Sequence, residues 1–146
     1  MADYETGSER QSKRQEGVVI VVQQDGRFLL IRRAAGLLAG GAWCFVGGAI
    51  QRGETQPEAV AREFAEEVGG HVQPAGKIWE YLRPDGGLLL HWWLARLEQG
   101  RLIANPLEVA EIRWCTPDEA LSLPDLLESN VHFIQAVQRG TIELTL

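Results

Sequence analysis

The apolar residues of this chain occur mainly in short runs rich in β-branched side chains, a pattern typical of strands. Two such runs, 17–23 and 27–32, are separated by Asp25-Gly26, a strong signal for a hairpin turn. Further strands are predicted over 43–46, 49–50, 71–82, 88–97 and 111–115, with a turn sequence at 84–87 and a glycine-rich loop over 34–42.

A helical pattern replaces the strand pattern in three places. The capping box formed by Thr55 and Glu58 precedes an apolar stripe of helical spacing, which predicts a helix over 56–68. The sequence 116–119 is a second helix start, and a third helix is predicted from about 124 to 138. Strands that alternate with helices predict an α/β domain with helices packed on a mixed sheet.

Length and charge narrow the class of protein. The chain has 146 residues, a net charge of −6 and a pI near 5.1. This length predicts one domain, over 17–146, preceded by a polar stretch at 1–16 that we expect to be a disordered tail. The acidic excess argues against a long nucleic acid as partner, because binding of a phosphate backbone needs a basic surface.

Hydropathy adds a prediction about location. No apolar run is long enough to span a membrane, and no secretory signal begins the chain. A soluble, cytoplasmic protein without a membrane partner is therefore predicted. Cys44 and Cys115 each lie beside a tryptophan in a predicted strand, and we expect both to be buried free thiols.

The predicted helix over 56–68 carries three carboxylates on one face, separate from its apolar stripe. Glu63, Glu66 and Glu67 are spaced so that their side chains are neighbours on the helix surface. Like charges this close are destabilising unless a cation lies among them, so this face predicts a metal site. Oxygen ligands without nearby histidine or cysteine favour a hard cation, Mg²⁺, with Mn²⁺ as a substitute.

A wider pattern around this helix resembles the Nudix box, written G-x5-E-x7-R-E-U-x-E-E-x-G-U with U a bulky apolar residue. The resemblance covers Gly48–Gly70, and every charged and glycine position is matched at its spacing, namely Gly48, Glu54, Arg62, Glu63, Glu66, Glu67 and Gly69. Two apolar positions depart from the pattern: Phe64 stands where an aliphatic residue is usual, and Gly70 where a large apolar residue is usual.

The resemblance implies a Nudix-type α/β/α sandwich with a mixed β-sheet, and an enzyme. The implied reaction is Mg²⁺-dependent hydrolysis, by metal-activated water, of the diphosphate linkage in a small nucleotide. The nucleotide would be a nucleoside triphosphate or a nucleoside diphosphate linked to another group, such as ADP-ribose. Metal binding and catalysis would fall to the Gly48 carbonyl and to the side chains of Glu63, Glu66 and Glu67. We expect Arg62 to orient these carboxylates and Glu54 to anchor the preceding loop.

The sequence leaves the general base open, because family members take it from the helix or from a downstream loop. The helix candidate is Glu67, and the loop candidates are Glu108 and Glu111. We favour Glu111, directly before a predicted strand, as a further metal ligand or base. Arg32 and Arg33 end a strand beside the glycine-rich loop, where they would bind substrate phosphates or simply be solvated.

Two alternative functions stay open on the sequence alone. One is hydrolysis of a non-nucleotide diphosphate, such as a sugar or isoprenoid diphosphate. The other is a nucleotide-binding module without catalysis, against which the intact box argues. Adjacent Trp92 and Trp93 must face opposite sides of a strand, so we expect one in the core and the other at a pocket or at the interface of a homodimer.

Overall fold

The computed structural model describes residues 14–145, and these residues form one mixed sheet with helices on both faces. The strands are β1 (Gln15–Val21), β2 (Gln23–Gln24), β3 (Arg27–Arg33), β4 (Trp43–Ala49), β5 (Val72–Leu82), β6 (Leu88–Leu97) and β7 (Val109–Cys115). The helices are α1 (Gln56–Val68), α2 (Pro117–Leu121) and α3 (Glu128–Gln138). The mixed α/β class predicted from the sequence is confirmed.

The sheet has the strand order β2-β3-β4-β1-β6-β5. β7 pairs with the edge of β3 that faces away from β4. β1 runs parallel to β6, and the remaining pairs are antiparallel. Because β1 lies between β4 and β6, it brings the glycines near the end of β4 beside the residues that begin β1. This pairing positions the candidate site.

The core is divided by the sheet into two apolar layers. One layer packs the buried stripe of α1, with Val60 and Phe64, against the face of the sheet that carries Val18 and Ile20. The other layer packs α2 and α3 against the opposite face. Each helix therefore covers one side of the sheet, which is the α/β/α arrangement.

Helix α1 forms where its sequence predicts it. The Thr55 side chain accepts a hydrogen bond from the Glu58 backbone N–H, and the Glu58 side chain accepts one from the Thr55 N–H, so both bonds of the capping box are present. The helix ends at Gly69, which has a left-handed conformation with φ 68°. The predicted capping box of α2, from Thr116 to Glu119, is likewise confirmed.

Some predicted boundaries differ from the structure because tertiary pairing decides them. Strand β1 begins at Gln15, which pairs with β6, so residues 15 and 16 are not part of a tail. Arg14 of the predicted tail is also described, and its Nε donates to the Gly86 carbonyl at 3.2 Å; residues 1–13 lie outside the described residues. Strand β4 is continuous where two short strands were predicted, since Gly47 and Gly48 both pair with β1. Helix α3 starts only at Glu128 because Leu126 forms a bridge with Trp43.

Residues 14–145 contain no helix of the length and apolarity needed to cross a membrane. Cys44 and Cys115 are both buried and free, as predicted. The cytoplasmic location stays a prediction.

Candidate functional site

A small cavity of about 260 Å³ lies where the two glycines of β4 face the second half of α1. Its lining includes Arg33, Gly47, Gly48, Glu63, Glu67 and Glu108. The polar residues come from four separate parts of the chain: the end of β3, strand β4, helix α1 and the loop before β7. The cavity therefore gathers three carboxylates and one guanidinium around a stretch of glycine backbone.

Two of the carboxylates form a buried pair one helical turn apart. Glu63 is 8% exposed and Glu67 is 6% exposed. The pKa of Glu67 is raised to about 9, mainly by burial, and the hydrogen bond with Glu63 and the negative charges of Glu63 and Glu108 contribute to the same shift. Burial also raises the pKa of Glu63, while its hydrogen bonds to Glu67 and Arg62 oppose that shift. The pair therefore carries a proton at neutral pH when no cation is bound.

Gly48 is required by the close approach of this pair to the sheet. A Cβ atom at Gly48 would lie 2.3 Å from the carboxyl carbon of Glu63, so a side chain here would displace the carboxylate. The backbone N–H of neighbouring Gly47 donates to Glu67, and this contact lowers the Glu67 pKa slightly against the effect of burial. Sequence analysis missed the role of Gly47, which directly precedes the box.

Arg62 holds the acidic face together through five hydrogen bonds to four residues. Its guanidinium donates to Glu54 at 2.6 and 2.9 Å, to Glu63 at 3.0 Å, to Glu66 at 3.2 Å and to the Ala49 carbonyl at 2.9 Å. The bond from Arg62 lowers the pKa of Glu54 to about 2, assisted by the Gln51 N–H. Glu54 and Arg62 thus tie the loop before α1 to the helix, which is the geometry expected of an anchor and an orienting residue.

The remaining predicted ligand, Glu66, is turned toward Arg62 and its side chain is half-exposed, at 48%. Across residues 14–145, no three His, Cys, Asp or Glu side chains are close enough to hold a metal ion as they stand. One atom nevertheless fits a cation ligand, because Glu67 Oε1 is buried and has no hydrogen-bond partner. Carboxylate and carbonyl oxygens around such an atom fit a hard divalent cation, which would replace the shared proton.

The two loop carboxylates have different surroundings. Glu108 lines the cavity beside Glu67, whereas Glu111 is not among its lining residues. The Glu111 carboxylate pairs instead with Arg113 at 2.7 Å and with Arg32 at 3.5 Å. The structure thus brings together Glu67 and Glu108, and it does not bring Glu111, which we favoured from the sequence, into the cavity.

Arg32 and Arg33 also differ in whether they line the cavity. Arg33 lines the cavity, and its Nε donates to the Leu38 carbonyl at 2.9 Å, which fixes the guanidinium against the loop over 34–42. Arg32 points elsewhere: it pairs with Glu111 and lies 6.0 Å from the centre of the Trp43 ring. Of the two predicted phosphate ligands, only Arg33 is in position to meet a ligand in the cavity.

A larger cavity of about 480 Å³ adjoins the carboxylate cavity and shares Arg33, Gly47, Gly48 and Ala49 with it. Its walls are mainly apolar, with Phe45, Leu90 and Leu127 among them, and its polar groups include Ser129 and Asn130 of α3. Clefts of this size and composition are typical of sites for small organic ligands. The pair of cavities therefore joins an apolar chamber to an acidic one.

Asn130 gives the apolar chamber a fixed polar group that sequence analysis missed. It is 3% exposed, and its Oδ1 accepts a hydrogen bond of 2.8 Å from the Phe45 backbone N–H. Because that N–H can only donate, the amide orientation is determined and Nδ2 remains the donor, 3.1 Å from Ser129 Oγ. An asparagine early in an amphipathic helix has no distinctive sequence signal, so only the packing of α3 on β4 reveals it.

The tryptophans lie away from both cavities. All five lie within residues 14–145, and none lines either of these two cavities. Trp92 is fully buried and stacks on Phe133 with ring centres 4.4 Å apart. Trp93 is on the opposite face, where its Nε1 donates to Gln56 of α1 at 2.8 Å. The expectation that the two face opposite sides is confirmed, and the suggestion of a dimer interface stays a prediction.

Comparison with known proteins agrees with this geometry. The model of the NUDIX domain matches residues 13–137. A CTP pyrophosphohydrolase of Escherichia coli K12 is 32% identical over 123 residues, which cover 83% of this chain and 89% of the relative. A putative 8-oxo-dGTP diphosphatase of Bacillus subtilis is 31% identical over 103 residues, 70% of this chain and 66% of the relative.

Solved structures share the fold. A MutT protein from Methanosarcina mazei superposes with a TM-score of 0.76 at 21% identity, covering 89% of this chain and 97% of its own. The ORF135 protein of E. coli superposes with a TM-score of 0.71 at 28% identity, covering 93% and 94%. The chain therefore belongs to the Nudix family, and it is a Nudix hydrolase of the MutT-like type. Nudix hydrolases generally use divalent metals such as Mg²⁺.

Proposed function

We propose that this Nudix hydrolase is a Mg²⁺-dependent pyrophosphohydrolase of nucleotides, with nucleoside triphosphates as its preferred substrates. The products would be a nucleoside monophosphate and pyrophosphate. The observation that carries the proposal is the junction of the two cavities at Gly47, Gly48 and Arg33. A ligand spanning that junction would have one acidic end that needs a cation and one largely apolar end.

The carboxylate cavity suits the diphosphate linkage. Phosphate oxygens cannot approach Glu63, Glu67 and Glu108 without cations between them, because the like charges repel. When bound, Mg²⁺ supplies the charge that holds the diphosphate and lowers the pKa of the attacking water. The proposed ligands are the Gly48 carbonyl, Glu63, Glu67 and Glu66, the last after it releases Arg62.

The apolar chamber suits the nucleoside. Its volume of about 480 Å³ and its apolar walls match a base with its sugar, and the Asn130 amide offers a donor to acceptor atoms on the base edge. The similarity to a CTP pyrophosphohydrolase, at 32% identity over most of both chains, supports a nucleoside triphosphate as the substrate. The hydrocarbon chain of an isoprenoid diphosphate would leave the Asn130 donor without an acceptor.

The chain's own groups have distinct proposed roles. Arg33 would bind the leaving phosphates, since it is the arginine that lines both cavities. Glu67 and Glu108 would accept the proton of the attacking water, because they are the carboxylates that share the cavity without a bond to Arg62. Arg62 and Glu54 would keep the loop before α1 fixed to the helix during the reaction.

The test is product analysis with Mg²⁺ across nucleoside triphosphates that include CTP and 8-oxo-dGTP, with ADP-ribose and an isoprenoid diphosphate as other arms. We expect pyrophosphate and a nucleoside monophosphate from at least one triphosphate. Glu66→Gln should lower that rate by at least about a hundredfold. The matched control, Glu98→Gln, alters an exposed carboxylate in the loop after β6 and should leave the rate unchanged.

Different outcomes would reject different parts of the proposal. Turnover of the isoprenoid diphosphate alone would replace the nucleotide with a non-nucleotide substrate. Full activity of Glu66→Gln would reject the assignment of the acidic face of α1 as the metal site.

A further inference from the structure

A third cavity, of about 680 Å³, lies beside the loop that precedes α1, and the proposed reaction makes no use of it. It is larger than either cavity of the candidate site, and it shares only Ala49 with the carboxylate cavity. Its walls come from the segment that begins β1, the end of β4 and the start of α1. The lining includes Arg14, Glu16, Ile50, Glu54, Thr55 and Gln56.

The first polar group in this cavity is the Glu16 carboxylate. Glu16 lies two residues before Val18, which packs under α1, so the Glu16 side chain is on the same face of the sheet as the helix. His91 Nε2 lies 2.7 Å from Glu16 Oε1, and Lys77 Nζ lies 2.8 Å from His91 Nδ1. Because an ammonium group can only donate, Nδ1 accepts from Lys77 and Nε2 donates to Glu16. Within residues 14–145, Glu16 Oε2 makes no hydrogen bond and remains an acceptor.

The second polar group is the Gln56 amide at the first position of α1. Trp93 Nε1 donates to Gln56 Oε1 at 2.8 Å, and an indole N–H can only donate, so the orientation of the amide is determined. The amide nitrogen, Nε2, is therefore a donor, and it has no acceptor in the described part of the chain. Glu16 and Gln56 thus present one acceptor and one donor to the same cavity. Sugar hydroxyls satisfy both, because a hydroxyl donates and accepts, whereas an ammonium group only donates.

The third polar group, the Arg14 guanidinium, supplies positive charge. Its Nε donates to the Gly86 carbonyl at 3.2 Å, and within residues 14–145 its terminal nitrogens contact no carboxylate. Glu54, another charged residue of the wall, is already paired, since Arg62 donates to both of its oxygens. A phosphate at Arg14 would therefore meet a free guanidinium and would need no divalent cation. Arg14 and Glu16 are two residues apart, roughly 7 Å along an extended chain, so a ligand that meets both carries its anionic group and its hydroxyls at separate ends.

We propose that this cavity is a second binding site, separate from the carboxylate cavity, and that its ligand is a small sugar phosphate. Arg14 binds the phosphate, and Glu16 and Gln56 bind hydroxyls of the sugar. His91 and Trp93 are positioning residues that hold the Glu16 and Gln56 side chains. The sugar phosphate is either free in solution or part of a nucleotide, and its binding is independent of the proposed hydrolysis.

The experiment measures binding, and its place in the molecule, from amide NMR spectra of the isotope-labelled chain in EDTA. The probes are ribose 5-phosphate, ribose, inorganic phosphate and CMP. Ribose 5-phosphate should bind at least about tenfold more tightly than ribose or phosphate alone, because only the joined molecule meets both ends of the site. The amide signals of Gln15 and Gln56 should shift, and those of Gly47 and Gly48 should not.

Variants of the three polar groups and of His91 test the assigned roles. Arg14→Gln removes the positive charge and Glu16→Gln replaces the free acceptor by a donor, and each should weaken binding of ribose 5-phosphate by at least about fivefold. His91→Leu should weaken it as Glu16→Gln does, whereas His91→Gln, which keeps an amide donor near the position of Nε2, should retain most of it. The matched control is Arg83→Gln, since Arg83 pairs with Asp85 in the turn beside Arg14 and does not line the cavity.

The outcomes are decided without Mg²⁺ and without turnover, so they are distinct from the test of the proposed function. Thermal unfolding of each variant shows that it is folded. Absence of saturable binding of ribose 5-phosphate in EDTA would overturn the inference. Equal affinity for ribose 5-phosphate and phosphate, or shifts confined to Gly47 and Gly48, would overturn it as well. A larger loss of affinity for CMP than for ribose 5-phosphate in Arg14→Gln would assign the site to a nucleotide, and the reverse would assign it to a free sugar phosphate.

Discussion

The acidic face of α1 and the aromatic core beneath α3 are two buried regions built on opposite principles. In the aromatic core, Phe45 makes edge-to-face contacts with Phe28 at 5.3 Å and with Trp92 at 5.5 Å, and Phe133 packs against all three rings. These contacts are favourable as they stand. In the buried pair of Glu63 and Glu67, in contrast, burial raises both pKa values, so the charged forms of the two carboxyl groups are disfavoured.

The comparison shows that the aromatic core stabilises the fold, whereas the acidic face of α1 is destabilising by itself and depends on the stability of the rest. The aromatic rings exclude water from one another, and their burial contributes to the free energy of unfolding. The two carboxylates lose hydration, and Glu67 Oε1 gains no hydrogen bond in return. The carboxylate pair is therefore held in place by Arg62, by its helix and by the sheet. A bound cation would offset the lost hydration of the two carboxylates.

The largest expected effect comes from breaking the aromatic core. Phe133→Ala should lower the free energy of unfolding by about 3–5 kcal/mol, because it removes a fully buried ring and leaves a cavity. Chemical denaturation with and without Mg²⁺ measures it. The loss should be the same in both conditions, since no carboxylate is involved, and a loss that Mg²⁺ restores would contradict the separation of the two regions.

A second experiment compares the two loop carboxylates within the acidic region. Glu108→Gln should lower kcat by about a hundredfold, because Glu108 lines the cavity beside Glu67. Glu111→Gln is the matched control, and its kcat should stay within about threefold of wild type, since Glu111 pairs with Arg32 and Arg113 on the sheet. Initial rates at saturating substrate decide between them, and the reverse order would restore Glu111 as the base.

The pH dependence of stability should expose the buried pair. The pKa of Glu67 in the folded chain, about 9, lies above its ordinary value of 4.5, so its stabilising effect is complete below pH 4.5 and is lost as pH rises through 9. Without metal, Tm should fall across that range. Glu54 acts in the opposite sense, because its pKa in the folded chain is about 2, below its ordinary value of 4.5. Its contribution to stability is complete above pH 4.5 and is lost as the pH falls through 2.

Mg²⁺ should reverse this trend, because it competes with the proton of the pair. Thermal unfolding with EDTA and with Mg²⁺ should give Tm values that diverge as pH rises toward 9. Glu67→Gln should flatten the curve measured in EDTA. Equal slopes in the wild-type and Glu67→Gln chains would show that another group controls the alkaline loss.

The smallest effect concerns the helix caps, which occur on both sides of the sheet. Thr55→Ala and Thr116→Ala each remove one capping box, and each should cost about 1 kcal/mol of unfolding free energy. Only Thr55→Ala should also lower activity, because α1 carries the acidic face. Urea denaturation and initial rates test this, and equal activity in the two variants would mean that the start of α1 does not influence the site.

Much of this molecule was predictable because its signals are local. Helix α1 follows from a capping box, an apolar stripe and a terminal glycine, and each of these signals depends on residues about one helical turn apart. The hairpin at Asp25-Gly26 likewise has positive φ angles at both residues. Local hydrogen bonds and steric limits depend on neighbours in the chain, so the sequence contains what is needed to predict them.

Other features depended on contacts between distant segments. Gly70 departs from the box, and the structure explains it: a Cβ there would lie 2.7 Å from Leu102, a residue of the distant loop after β6, and 2.9 Å from Phe64 of α1. Glu108 and Glu111 are three residues apart and similar in sequence context. Only the register of β7 against β3 directs one into the cavity and the other toward Arg32.

The sequence by itself determined the family and the acidic helix, because a fixed spacing on one helix puts the carboxylates close together whatever surrounds them. Tertiary structure decided that Arg33 and Glu108 join them, and that Asn130 lines the adjoining apolar chamber. The reason is that the chirality and spacing of a helix are local properties. The meeting of a loop, a strand end and a second helix results from burial of apolar surface over the whole sheet.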